Sequence, residues 1–143
     1  MWFNKLKHWL QHKEKMGNTI QLKLEDAAKG LLMMSESDYP FTYFSTVNKT
    51  VDENLILSLS GKPAGTLIEK TDLDYLLRNM TTTASGSVDQ HTADRFFILA
   101  EQLKKELKGI AVYRIGEIEI EVLIIGENSD GVIAGMRTKL IET

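Results

Sequence analysis

The apolar positions of this chain fall into blocks whose period changes from one block to the next. Trp2, Phe3, Leu6, Trp9, Leu10 and Met16 recur at helical spacing, with Lys5, Lys7, His8, His12 and Lys15 around the rest of the turn. Gly17-Asn18 punctuates. Leu24, Ala27, Ala28, Leu31 and Met34 then share one face of a second predicted helix. It stops in the polar run Ser35-Glu36-Ser37-Asp38 before Tyr39-Pro40, where the proline ring pushes Tyr39 towards extended geometry. Phe41 to Val47 is aromatic and β-branched and reads as a strand. Leu55 to Ser60, bounded by a polar turn region over Asn48–Asn54 and by Gly61, reads as another.

In the second half, Thr71 is the expected N-cap of a short helix through Met80, with Asp72 and Asp74 at its positive end. Thr81 to Ser87 is a loop. A long helix follows from about Asp89 to Leu107, with Ala93, Phe96, Phe97, Ala100, Leu103 and Leu107 expected inward. Lys104, Lys105 and Lys108 sit near its negative end, and Gly109 is the expected stop. Val112 to Ile125 alternates as one strand, Gly126 to Gly131 turns, and Val132 to Ile141 returns as a second. Helices at the front and middle, with strands between and after, predict an α+β fold with a largely antiparallel sheet. No repeat or low-complexity linker divides the 143 residues, which is the length of one domain.

Composition narrows the chemistry. With 43% hydrophobic residues the chain can bury a core, which sets it apart from disordered sequences. Cysteine is absent, so disulfides, thiolate catalysis, zinc ribbons and iron–sulfur clusters are excluded together. No apolar run approaches the ~20 residues of a membrane-spanning helix, and the N-terminal apolar residues are interleaved with Lys, His and Gln, unlike a signal peptide. A cytoplasmic location is the expectation. The net charge of −3 lacks the basic footprint of a nucleic-acid binder, so no direct nucleic-acid binding is expected.

That charge is unevenly spread. Residues 1–16 hold four lysines and one glutamate, a balance of +3, which leaves −6 on the remainder. The chain therefore divides into a basic amphipathic extension over residues 1–18 and an acidic domain over 19–143. A basic helix carrying Trp2, Phe3, Leu6, Trp9 and Leu10 can lie on an anionic membrane, dock on a partner, or simply pack on its own domain.

Few residues carry a motif. A Walker loop and a dinucleotide-binding glycine loop are both missing. His8 and His12 are spaced i, i+4, as two metal ligands can be, but no carboxylate stands in register with them, and His91 begins a helix. Glu117, Glu119 and Glu121 alternate with Ile118, Ile120 and Val122. On one strand the three carboxylates share a face at ~7 Å spacing, which can bind a divalent cation or support metal-dependent hydrolysis. A solvated outer face over a buried row of Ile118, Ile120 and Val122 explains the pattern fully. Glu36 stands out for its place in a tight polar loop, either a site on a rigid scaffold or a plain helix-ending turn.

Gly30-Leu31-Leu32-Met33-Met34-Ser35-Glu36-Ser37-Asp38-Tyr39-Pro40-Phe41 resembles the nuclease A inhibitor family. The resemblance is denser at Val112-Tyr113-Arg114-Ile115-Gly116-Glu117-Ile118-Glu119-Ile120-Glu121-Val122. It continues through Ile124-Ile125-Gly126-Glu127, Ala134-Gly135 and Thr138-Lys139 to Glu142-Thr143. Residues 46–87 carry little of it. The resemblance implies an α/β/α sandwich around a mostly antiparallel sheet, no catalytic role, no cofactor, and a sugar-nonspecific, magnesium-dependent endonuclease as partner. Glu36 matches the family glutamate that enters the nuclease's cationic substrate site, and Thr143 the terminal threonine that reaches the partner's magnesium. Ser35, Ser37 and Glu142 flank these two and complete the expected partner-binding set. The alternative is a non-inhibitory protein- or membrane-interaction module of the same fold that works through its basic N-terminal helix.

Overall fold

The computed structural model describes residues 19–143, so the helix expected over residues 2–16 lies outside the described residues. Helical residues 19–28 (α1) lead into two short strands, Leu32–Met33 (β1) and Tyr39–Pro40 (β2), that pair antiparallel. Next come Thr42–Thr46 (β3), the helix Glu53–Ser60 (α2), Ile68–Thr71 (β4), Leu73–Leu76 (α3) and the long helix Gln90–Glu106 (α4). Lys108–Ile115 (β5), Glu119–Glu127 (β6) and Ile133–Ile141 (β7) close the chain. The main sheet has the order β3-β7-β6-β5-β4, with every neighbouring pair antiparallel.

Alternation along the strands buries both faces of this sheet. Val112, Val122, Ile124 and Met136 pack against Leu24 of α1, Leu76 of α3 and Phe96, Leu99 and Leu103 of α4. On the opposite side Ile115, Leu123, Ile125 and Ile133 pack against Leu55 and Ile56 of α2. Helices therefore cover both sheet faces, which is the α/β/α sandwich of a mixed α+β fold. Near-continuous burial along β6 follows from this double cover.

Several elements differ from the sequence reading. Leu55–Ser60 is helix, not strand. Asp52 accepts the Leu55 amide at 2.8 Å, and Gly61, at φ +71°, ends the helix by donating to Leu57 O. A short apolar run has no period of its own, and these caps decide it. The helix after residue 19 stops at a left-handed Gly30, so Leu31 to Met34 leave it and supply β1. Thr71 is the last residue of β4, a strand the sequence hides behind Glu69 and Lys70, and Asp72 is the N-cap of α3 instead.

The long helix runs as expected, with Asp89 as its N-cap, but Phe97 is 56% exposed and the unnamed Leu99 is buried in its place. It ends at Glu106, and Gly109 lies inside β5 at a register shift. The stretch expected as one strand over Val112–Ile125 is two strands, β5 and β6. Gly116 turns the chain at φ +112°, where a Cβ would lie 2.5 Å from Glu119 O.

Candidate functional site

Glu36 sits in the loop between β1 and β2, a hairpin tip rather than the end of a helix. Backbone and side-chain bonds hold that loop to the end of β7. Ser35 Oγ accepts from the Ile141 amide at 2.9 Å and donates to Ser37 O at 2.8 Å, while the Glu36 amide donates to Ile141 O at 3.3 Å. Thr138 Oγ1 donates to Tyr39 O, fastening β2 to β7 from below. A short serine-rich segment suits this task because its hydroxyls replace backbone partners where strand pairing ends.

The last residues of the chain are held from the other side. The Glu142 amide donates to Ile118 O at 2.9 Å, and the Glu142 carboxylate accepts from Arg114 Nη2 at 2.8 Å. These bonds bring Thr143 to the hairpin, where its hydroxyl donates to Glu36 Oε1. Glu36, Ser35, Glu142 and Thr143 are thus brought together. Ser37 enters through its carbonyl.

The cluster lines a surface cleft of about 370 Å³, whose walls include Met34, Tyr75, Arg78 and Arg114. Arg114 comes from the end of β5, beside the edge strand β4, and is mostly buried. Its Nε has no hydrogen-bond partner among the described residues. In the same cleft the Arg78 guanidinium lies 3.8 Å above the Tyr75 ring and donates through Nη1 to Tyr75 O. Arg114, Tyr75 and Arg78 are absent from the residues singled out by sequence. Arg114 stands inside the resembling block, two residues after Val112, and that was the available signal.

The carboxylate row is not the face that alternation suggests. Glu117 is in the β5–β6 turn and Ile118 is 60% exposed. Glu119 and Glu121 both face Lys139, at 3.5 and 3.4 Å, and Glu121 is buried to 7% exposure. The negative charge of Glu121, then that of Glu119, holds the Lys139 ammonium above the usual lysine range. This is an ion-paired network. Among the described residues no group of three His, Asp or Glu is arranged to hold a metal ion. His91 lies on an exposed turn of α4 away from the cleft, and His8 and His12 lie outside the described residues. Among the described residues no helix is long and apolar enough to cross a membrane.

Fold and cleft define an α/β/α-sandwich domain that presents a carboxylate-bearing rim, built from a hairpin tip and the residues after its last strand. The sequence model of the nuclease A inhibitor-like proteins matches residues 18–143, and the chain belongs to this family. The match spans residues 46–87, where the sequence itself showed little resemblance. No curated protein matches the chain. At the level of the family the role is nuclease inhibition, and the partner class is a nuclease.

Proposed function

We propose that the protein inhibits a magnesium-dependent, sugar-nonspecific nuclease by blocking its active site with Glu36 and Thr143, and that it is not itself an enzyme. The supporting observation is the contact between these two residues at the rim of an open cleft. A nuclease site offers arginines and a hard cation to a phosphodiester. A carboxylate on a fixed loop imitates phosphate towards arginine, since both accept bidentate hydrogen bonds. The Thr143 hydroxyl supplies an oxygen donor suited to magnesium. Ser35 and Glu142 act by holding the two residues in place. The −6 balance of residues 17–143 favours encounter with a basic partner.

The test is titration of the full chain into a magnesium-dependent nonspecific nuclease encoded in the same genome. Inhibition at one-to-one stoichiometry is expected, with loss of inhibition on Glu36→Ala and on deletion of Thr143. No inhibition by the intact chain sinks the reading. Residues 1–18 are proposed as an extension that contacts a membrane or a further partner. Removing residues 1–16 is then expected to leave the nuclease titration unchanged while abolishing co-sedimentation with anionic liposomes.

A further inference from the structure

Exposed apolar side chains gather around the carboxylate rim. Met34 and Tyr75 line the cleft and are 40% and 51% exposed, and Ile118, exposed on the β5–β6 turn, gives its carbonyl to the Glu142 amide. Large apolar side chains clustered about polar anchors mark a protein-binding surface more than scattered exposure does. The cleft also holds an unused cation. Arg78 makes no ion pair among the described residues, although Glu36 and Glu142 line the same cleft. Its guanidinium is already ordered by the Tyr75 ring and the Tyr75 carbonyl. Little side-chain freedom is left to lose on binding, and tyrosine and arginine are the residue types that most often dominate interface energy.

We infer that Tyr75 and Arg78 form a second contact of this interface, with the Tyr75 ring seated on an apolar patch of the partner and Arg78 paired with a partner carboxylate. The inference rests on the inhibitor reading and adds to it the kind of surface the partner must present. That surface has a cationic and metal-bearing centre that receives Glu36 and Thr143, an apolar collar that receives Met34, Tyr75 and Ile118, and an acidic group at its edge. A protein that holds magnesium already carries carboxylates near the metal, so an acidic group beside a cationic centre is consistent with such a partner. Arg78 also disfavours partners whose rim is uniformly basic, because like charges would then meet across the contact.

The full chain and its Tyr75→Ala, Arg78→Glu, Arg78→Lys and Val47→Ala variants are titrated into the same nuclease, and dissociation is followed by surface plasmon resonance. Tyr75→Ala and Arg78→Glu are each expected to raise the inhibition constant about 10- to 100-fold, chiefly through faster dissociation. Arg78→Lys is expected to recover most of the loss. Val47→Ala, at a fully solvated position, is expected to match the parent. If Tyr75→Ala lowers the melting temperature, Arg78→Glu, at an exposed position, decides the outcome. Both variants within about twofold of the parent, with Glu36→Ala impaired, would overturn the second contact and leave the Glu36–Thr143 reading standing. A parent chain that neither inhibits nor binds the nuclease overturns both.

Discussion

Thr143 donates its hydroxyl proton to Glu36, joining residues 107 positions apart in sequence. The contact holds the Glu36 carboxylate and the Thr143 hydroxyl together at the rim of one cleft. Because the two side chains touch, their effects on inhibition are expected to be coupled. Glu36→Ala should weaken inhibition by about 2–4 kcal/mol, as truncation of a charged anchor in a contact usually does. Thr143→Val, which keeps the shape and removes the hydroxyl, should cost less in a Glu36→Ala background than in the parent. A double-mutant cycle on inhibition constants measures the difference, and strict additivity would contradict a shared site.

Arg114 acts on that rim without belonging to its edge. Its bond to Glu142 holds the chain one residue before Thr143. Arg114→Ala is expected to lower global stability by only about 1 kcal/mol, because the Glu142 carboxylate is half exposed. Inhibition should fall further than that. Exchanging the pair, Arg114→Glu with Glu142→Arg, should restore part of it. Amide hydrogen exchange at Glu142 reports the loosening directly.

Lys139 stabilises a carboxylate that the sheet has largely removed from water. The lysine pKa is raised in the fold, so its contribution is complete below the unfolded lysine value near ~10.4 and is lost as pH rises through the folded value. Lys139→Met leaves Glu121 without its cation and should cost about 1–2 kcal/mol, less than a fully buried pair because Lys139 stays partly solvated. Melting curves of parent and variant should differ by a constant amount from neutral pH to about pH 9 and converge above about pH 10.4. A gap that widens in alkali would refute the assignment.

Gly135 of β7 lies against the backbone of β6, opposite Ile125. A Cβ placed there would lie 1.7 Å from Ile124 O, so β6 and β7 would have to move apart. Gly135→Ala is expected to destabilise by at least about 3 kcal/mol, the upper end of overpacking costs. Urea unfolding measures it, and a loss below about 1 kcal/mol would show that the pair yields more easily than its spacing implies.

Much of this architecture is legible along the chain wherever a single period runs long enough. The helix Gln90–Glu106 is readable because its apolar residues repeat over several turns between an aspartate cap and a basic end. β3 is readable from its aromatic and β-branched content. Leu55–Ser60 is not, since six residues of Leu, Ile and Ser satisfy either period, and the caps at Asp52 and Gly61 settle the matter. β4 is illegible for another reason. As a charged edge strand it is defined by its pairing with β5, and its own sequence carries little pattern.

The site divides in the same way. Sequence alone determined that the chain is cysteine-free, acidic beyond a basic start, and built as an α+β domain. It also singled out Glu36 and Thr143, through the motifs that contain them. Only the tertiary structure decided that these two residues touch, that Arg114 and Ser35 hold them, and that Tyr75 and Arg78 share their cleft. It also decided that Glu119 and Glu121 answer Lys139 instead of forming a carboxylate row with Glu117. The physical reason is common to all of these. Propensity and period are local quantities, whereas a hydrogen bond between a hairpin tip and the end of the last strand exists only once the sheet has set their register.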